Sequence, residues 1–178
     1  MLLGSEVVPV FVIRHACAGD KHNWPGDDAD RPLDEIGRRQ AEMLAERLAS
    51  APIHRTLTSP AHRCVQTLEP LTQSLGLDLE LIEELGPDGD PTYLRTLVIA
   101  LDAATGAICT HGELMRPLLT SFRDNGTRIL TQHDDDDWLL GKGTAWELTL
   151  DSQGAVTTLE HIAPARLPAC PQHDRAGV

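Results

Sequence analysis

The sequence predicts an α/β fold, a three-layer α/β/α sandwich with a mainly parallel central sheet and a C-terminal β-hairpin. Two observations support this prediction. Short apolar runs of strand length alternate along the chain with amphipathic stretches of helical length, which favours right-handed crossovers between parallel strands. Near the C-terminus, two alternating segments flank a polar turn at 151–154, a pattern typical of a hairpin.

The first strand and helix are predicted at 7–13 and 33–48. Residues 7–13 are apolar and rich in β-branched side chains, and Pro9 indicates that full pairing begins after it. This strand ends at Arg14 and His15. Residues 33–48 place apolar side chains at helical spacing and charged ones between them, as in an amphipathic surface helix.

The second strand is predicted at 55–58 and leads directly into a helix. Ser59 can cap that helix, and Pro60 suits its first position. The helix carries Arg63 in its first turn and is expected to stop at Gly76, since glycine adopts the left-handed conformation of a helix C-terminus.

The remaining elements follow the same alternation until the hairpin. They are a strand at 78–82, a helix at 93–104, a strand at 107–110, a helix at 113–122 and hairpin strands at 145–150 and 155–162. The strand at 107–110 ends at His111-Gly112.

The length and composition indicate one domain that binds neither nucleic acid nor membranes. The chain has 178 residues, 41% of them hydrophobic, enough for a single core. Its net charge of −12 repels nucleic acid and anionic membranes. No apolar run reaches the roughly 18 residues of a membrane span, and residues 1–12 lack the features of a signal peptide. We expect a cytoplasmic protein.

Four cysteines, Cys17, Cys64, Cys109 and Cys170, show neither CxxC spacing nor a short disulfide framework. We expect reduced thiols that fill small spaces near strand ends. A soft-metal site built from Cys17 and Cys109 with the neighbouring His15 and His111 is the alternative, but its spacing would be unusual for zinc. An active site that is sensitive to oxidation of these thiols is a further alternative.

Cations and histidines follow three of the predicted parallel strands. Arg14 and His15 follow the strand at 7–13, and Arg63 follows the strand at 55–58. His111 and Gly112 follow the strand at 107–110. Because ligands of open α/β sheets bind beyond the carboxyl ends of the strands, these side chains are expected to share one pocket. Two guanidinium groups and helix N-termini can hold a phosphoryl group, and a neutral imidazole can accept it.

Several motifs occur in an order that carries a family resemblance. They are Phe11-Val12-Ile13-Arg14-His15-Ala16, Arg31-Pro32-Leu33-Asp34 with Gly37 and Gln40-Ala41, Ser59-Pro60-Ala61 with Arg63 and Gln66-Thr67, and Thr110-His111-Gly112. Together they resemble the histidine phosphatase superfamily, which has the phosphoglycerate mutase-like fold. The lack of large insertions is similar to SixA-type phosphohistidine phosphatases, and to the phosphatase domain that follows a Nudix domain in some bacterial nucleotide hydrolases.

The resemblance implies a catalytic centre built from the strand ends. His15 would become phosphohistidine, Arg14 and Arg63 would hold the phosphoryl oxygens, and His111 would stabilise the transition state. Gly112 would contact the substrate.

Two further positions are carried over from the family pattern. A carboxylic acid after the third strand often protonates the leaving group, and Glu84 fits the pattern better than Glu83, although short members can lack a clear acid. Asn23 would contact the phosphate. The chain departs from the usual Arg-His-Gly triplet at Ala16, which also occurs in SixA-type members.

The resemblance implies a single phosphatase-like domain at 1–163, with 164–178 as a flexible tail, that acts on a phosphorylated substrate without metal or cofactor. The expected function is a phosphohistidine phosphatase of SixA type. A phosphomonoesterase acting on nucleotides or sugar phosphates is the alternative, and a catalytically idle phosphate-binding module is a second one. The sequence does not predict the oligomeric state.

Overall fold

The computed structural model describes residues 8–101, 105–130, 141–163 and 170, and in them helices cover both faces of one seven-stranded sheet. The strands are β1 (Val8–Arg14), β2 (Arg55–Thr58), β3 (Leu79–Leu81), β4 (Gly106–Thr110), β5 (Arg128–Ile129), β6 (Ala145–Leu150) and β7 (Val156–Ile162). The helices are α1 (Glu35–Leu48), α2 (His62–Leu75), α3 (Pro91–Ala100) and α4 (Gly112–Asp124). Short 3-10 turns lie at Lys21–Asn23, Asp28–Asp30 and Glu83–Leu85.

The sheet confirms the predicted fold class. Its order is β3-β2-β4-β1-β6-β7-β5, and the first four strands of that order run parallel. β6 is antiparallel to both β1 and β7, so the predicted hairpin is present. Because β4 lies between β2 and β1, the carboxyl ends of these three strands are neighbours.

β1 supplies both halves of the core through its alternation. Val10 and Val12 pack in the cluster that contains the buried side chains of α3 and α4. Phe11 and Ile13 pack in the cluster that contains those of α1 and α2. Successive side chains of a strand point to opposite faces, so this single strand fixes the middle of the three layers.

The expectation about Pro9 is right on one side of β1 and wrong on the other. Pairing with β4 begins at Phe11, after Pro9. Pairing with β6 begins earlier, and Pro9 lies opposite Thr149. An antiparallel ladder alternates hydrogen-bonded and non-hydrogen-bonded pairs, so it can accommodate a residue without an N–H group.

The helix after Ser59 begins later than predicted, at His62, and its N-cap residue is Ala61, which makes no side-chain capping hydrogen bond. The Ser59 hydroxyl accepts the N–H of Ala61 at 3.3 Å, just before the helix, and also lies 3.0 Å from Nε2 of His111. At the other end, Gly76 stops the helix in the left-handed conformation, with φ of 66°, as predicted.

The other helices differ from prediction mainly at their ends. α1 starts at Glu35 because the Asp34 carboxylate accepts the N–H of Gly37 at 2.7 Å. α3 starts two residues early because Asp90 caps it. α4 also begins a residue early, at Gly112. Nothing in the sequence pattern pointed to the two residues of β5.

The expectation of four reduced thiols is wrong for two of them. Cys17 and Cys170 form a disulfide, whereas Cys64 and Cys109 are free and buried. A separation of 153 residues gives no local spacing from which the pair could be inferred. Apart from Cys170, the predicted tail lies outside the described residues.

Across the part of the chain that the structure describes, no helix combines the length and the hydrophobicity needed to cross a membrane.

Candidate active site

His15 follows β1 and presents one nitrogen to the site. Its side chain is only 6% exposed, and Nδ1 lies 2.8 Å from the carbonyl oxygen of Ala16. A carbonyl oxygen only accepts hydrogen bonds, so Nδ1 carries the proton. Nε2 therefore keeps its lone pair, which is the state required of a nucleophile.

The surroundings of His15 keep its imidazole neutral. Burial lowers its pKa well below the ordinary value, and the charges of His111, Arg14 and Arg63 lower it further. The hydrogen bond to Ala16 opposes this shift without reversing it. The imidazole is thus unprotonated at neutral pH.

The backbone around His15 is fixed from two sides. Its N–H donates to the carbonyl of Thr110 at 3.1 Å, which ties it to β4. The N–H of Arg14 donates to the carbonyl oxygen of Thr144. The N–H of Gly143 donates to the carbonyl oxygens of Arg14 and His15, at 3.2 and 3.3 Å. The turn before β6 therefore holds the end of β1 in place.

Arg63, in the first turn of α2, is 3% exposed and already has partners on one edge. Its Nη1 donates to the carbonyl of Asp28, and its Nη2 lies 2.9 Å from a carboxylate oxygen of Asp28. Nη2 also lies 3.4 Å from Nδ1 of His111. Its buried Nε has no hydrogen-bond partner among the described residues, so it remains available to an anion.

Asp28 is a site residue that the sequence analysis missed. Its carboxylate lies between Arg63 and Arg31, 2.9 Å from nitrogen atoms of each. Partial burial works against ionisation, but the hydrogen bond from Arg31 and the charge of Arg63 lower the pKa of Asp28. It belongs to a three-residue 3-10 turn, which leaves no periodic signal in a sequence.

Arg14 lies against the N-terminus of α4. A Cβ atom at Gly112 would be 3.2 Å from Nε of Arg14 and 3.3 Å from its Cζ, closer than most real Cβ contacts. The lack of a side chain at Gly112 therefore lets the guanidinium approach the helix. The N-terminus of a helix favours an anion through its unpaired N–H groups and its dipole.

His111 is 1% exposed and has a different partner on each ring nitrogen. Nε2 lies 3.0 Å from Oγ of Ser59 and 3.5 Å from Sγ of Cys64. Nδ1 faces Arg63. The ring meets that of His15 edge-on, with centroids 5.2 Å apart.

The predicted acid and the predicted asparagine are not drawn into this cluster. Glu84 and its neighbour Glu83 are exposed in a 3-10 turn and form no hydrogen bond or ion pair through their side chains with any described residue. That turn lies beside the site, since the Thr110 hydroxyl donates to the carbonyl of Leu85 at 2.7 Å. Asn23 is exposed and donates to Asp20 at 2.6 Å.

A cavity of about 310 Å³ opens beside the loop that follows β1. Trp24, Pro32 and Leu33 give it apolar walls, and Arg31 and Asn23 add polar groups. Asp20 and Asp34 also line it. Arg31, at its wall, and Arg63, in the cationic cluster, both pair with the carboxylate of Asp28.

The structure offers no support for the metal alternative. Within the described ranges, no three or more His, Cys, Asp or Glu side chains are grouped in a way that could hold a metal ion. Cys17, one of the residues considered for such a site, is in a disulfide.

Comparisons with known proteins agree with this geometry. The sequence model of the histidine phosphatase superfamily (branch 1) matches residues 10–86. The chain is 32% identical over 160 residues to an 8-oxo-(d)GTP phosphatase of Mycolicibacterium smegmatis, a match that covers 87% of this chain and 48% of that protein. The chain thus spans about half the length of this curated relative.

Solved structures share the fold. The protein histidine phosphatase SixA complexed with tungstate is 26% identical, with a TM-score of 0.71 and coverage of 90% of this chain and 100% of SixA. A proposed phosphohistidine phosphatase SixA of Agrobacterium tumefaciens is 23% identical, with a TM-score of 0.66, and the match covers 88% of this chain and 98% of that one. Residues 10–86 thus match the sequence model of the histidine phosphatase superfamily, and the chain shares the fold of SixA.

Proposed function

We propose that the chain is a metal-independent phosphohydrolase that works through a covalent phosphohistidine on His15. The observation that carries the proposal is the unprotonated Nε2 of a neutral, buried His15 among Arg14, Arg63 and His111. Nε2 attacks phosphorus as the bond to the leaving group breaks. Water then attacks the phosphohistidine, which releases phosphate and restores the imidazole.

The cations around His15 account for binding and charge stabilisation. Arg63 offers its buried Nε, and Arg14 lies where the first N–H groups of α4 begin. Phosphoryl transfer depends mainly on positioning and on neutralising oxygen charge, which guanidinium groups do with forked hydrogen bonds. His111, with Nδ1 toward Arg63, would contact the same oxygens.

Glu84 is our candidate for the acid that protonates an oxygen leaving group. It lies in the turn anchored beside the end of β4, and its exposed carboxylate is not held by another described residue. Asn23 and Gly112 remain our candidates for substrate contacts. We take residues 1–163 as the phosphatase domain.

The first substrate class that we propose is phosphohistidine on a protein. The protein histidine phosphatase SixA shares the fold of this chain, at 26% identity and a TM-score of 0.71. An imidazole leaving group needs less help from a general acid than an alkoxide does. This agrees with the exposed position of Glu84, whose carboxylate no described residue holds toward His15.

A nucleotide phosphate is the second candidate, and two observations favour it. The relative from Mycolicibacterium smegmatis carries a nucleotide in its name. The cavity next to Arg31 presents the indole of Trp24, against which a base could stack.

A comparison of kcat/KM for three donors tests the proposal: a phosphohistidine-bearing protein, nucleoside phosphates and sugar phosphates. We expect phosphohistidine to be hydrolysed at least about 100-fold more efficiently, and His15→Asn to release no phosphate from any donor. A preference for nucleotides that Trp24→Ala abolishes would select the second candidate. If wild type releases phosphate from none of them, the chain is a phosphate-binding module.

A further inference from the structure

Asp28 occupies one end of the Arg63 guanidinium. Nη1 of Arg63 donates to the carbonyl oxygen of Asp28, and Nη2 lies 2.9 Å from Oδ2 of its carboxylate. A second edge of the guanidinium is left for another ligand. On that edge, Nε is buried with no hydrogen-bond partner among the described residues, and Nη2 carries a second proton. Asp28 thus determines which edge of Arg63 can meet an anion.

The carboxylate of Asp28 is itself held on its other oxygen. Oδ1 accepts from Nε of Arg31 at 2.9 Å, and Nη1 of Arg31 donates to the carbonyl oxygen of Ala18 at 2.7 Å. A carboxylate only accepts hydrogen bonds, and here each of its oxygens serves one arginine. Arg63 is therefore tied, through Asp28 and Arg31, to the loop after β1.

The turn that carries Asp28 is held against α2 by contacts that do not involve this carboxylate. The carbonyl oxygen of Asp30 lies 3.1 Å from Nδ1 of His62. Just beyond the turn, the N–H of Leu33 donates to Oε1 of Gln66 at 2.8 Å. Because these contacts anchor the segment, the carboxylate of Asp28 is left to orient the arginine.

Orientation matters for an arginine that holds a phosphoryl group. A guanidinium pairs with phosphoryl oxygens through two parallel hydrogen bonds, which require one edge of the planar group to face the anion. A guanidinium without a fixed partner would be ordered only when the substrate binds, and this ordering weakens binding. One that is already oriented avoids that cost, and phosphoryl transfer depends mainly on such positioning.

We propose that Asp28 is a positioning residue whose carboxylate holds the end of the Arg63 guanidinium and so turns Nε and the second proton of Nη2 toward the phosphoryl group. The inference rests on the proposed function, in which Arg63 holds the phosphoryl oxygens. Charge alone predicts the opposite effect of removing Asp28. The loss of a negative charge beside an anion site should tighten anion binding, whereas the loss of the group that orients Arg63 should weaken it.

Calorimetric titration with tungstate, a tetrahedral oxyanion like phosphate, separates these two effects without any need for turnover. Asp28→Asn keeps the size of the side chain but offers one acceptor oxygen instead of two. Asp28→Ser removes the carboxylate without adding an amide donor. We expect both variants to bind tungstate about tenfold more weakly than wild type.

Asp30→Asn is the matched control, because it removes the same charge from an exposed side chain of the same turn. It should bind tungstate at least as tightly as wild type does. Binding by Asp28→Asn and Asp28→Ser that is as tight as that of wild type, or tighter, would overturn the proposal.

A double variant shows whether Asp28 acts through Arg63. Arg63→Lys removes the fork that Asp28 orients. In that background, Asp28→Asn should change the Kd for tungstate by less than about twofold. If Asp28→Asn weakened binding as much there as in wild type, its effect would not pass through Arg63 and the proposal would fail.

The kinetic readout distinguishes this inference from the proposed function. In both Asp28 variants kcat/KM for phosphohistidine should fall by at least about tenfold, whereas Asp30→Asn should keep the wild-type value. An active wild type whose kcat/KM is unchanged in both Asp28 variants would overturn the positioning role. A wild type that releases no phosphate, but loses tungstate affinity in the Asp28 variants, would instead overturn the proposed function and leave the positioning of Arg63 standing.

Discussion

At the scale of single residues, one backbone contact determines what His15 can do. The carbonyl of Ala16 fixes the proton on Nδ1, and burial beside Arg14 and Arg63 keeps the other nitrogen unprotonated. Both causes act at a strand end, where the backbone direction is set by β4. The fold therefore prepares the proposed nucleophile before any substrate arrives.

The role of Glu84 is testable because Glu83 provides a matched control in the same turn. Glu84→Gln should slow hydrolysis of alkyl phosphates by about 100-fold and leave phosphohistidine and aryl phosphates nearly unchanged, since only a poor leaving group needs a proton from an acid. Steady-state rates with the three donors measure this. Equal slowing of all donors, or the same pattern in Glu83→Gln, would remove Glu84 as the acid.

The fold class predicts that Arg14, His15, Arg63 and His111 lie close together, because parallel strands end at one edge, and the structure brings them together. Their roles in catalysis stay predictions. Asp28 could not be found in this way, because its contact with Arg63 spans 35 residues and starts from a short turn.

Ser59 was predicted as a helix cap, and its hydroxyl does accept the N–H of Ala61, but nothing local reveals its other partner, a histidine 52 positions away. That second contact depends on the order of the strands, which brings the ends of β2 and β4 together.

At the scale of elements, the close packing of α1 on the loop after β1 is the tightest requirement. A Cβ atom at Gly37 would lie 1.8 Å from the carbonyl oxygen of Cys17, two residues from His15. The Cys17 N–H is also held by Gln40 of the same helix at 2.9 Å. The helix can approach the loop after β1 only because Gly37 lacks a side chain.

Gly37→Ala should lower the free energy of unfolding by about 3 kcal/mol, since backbone on both sides must move apart. Gly76→Ala is the control. Gly76 has φ of 66° with open space around it, so its loss should cost only about 1 kcal/mol of conformational strain. Urea unfolding measures both, and equal effects would contradict the packing requirement.

Elements with strong periodicity were predicted well and short ones were not. α1 and α2 agree with prediction within a few residues, because an amphipathic face or a terminating glycine marks each. β5 pairs through only two residues, and its place beside β7 is set by the hairpin rather than by its own sequence.

At the scale of the whole molecule, the disulfide joins residues 153 positions apart. It connects the loop after β1 to a point near the end of the chain. Closing so long a loop restricts the unfolded chain far more than the folded one, and in the chain-entropy account this stabilises the fold by about 5 kcal/mol.

Cys170→Ser should therefore lower the free energy of unfolding by about 5 kcal/mol under oxidising conditions, as measured by urea unfolding. A reductant should lower the stability of wild type to that of the variant and leave the variant unchanged. Wild type that is equally stable with and without reductant would show that the bond contributes nothing to the fold.

The charge of the whole molecule makes its cationic site stand out. The net charge is −12, yet Arg14, Arg63 and the two histidines gather at one edge of the sheet. The overall charge follows from composition, and the sequence also predicts that these cations meet at the carboxyl ends of the parallel strands. An anionic group is thus captured by a local field against the general one.

The most direct test of the account is to trap the intermediate. Wild type and His15→Asn are mixed with a radiolabelled phosphoryl donor, quenched, and examined for protein-bound label that is labile in acid and stable in base, as expected of phosphohistidine. The account predicts such label on wild type and none on His15→Asn. Equal labelling of both proteins, or phosphate release by wild type with no protein-bound label even after rapid quenching, would contradict it.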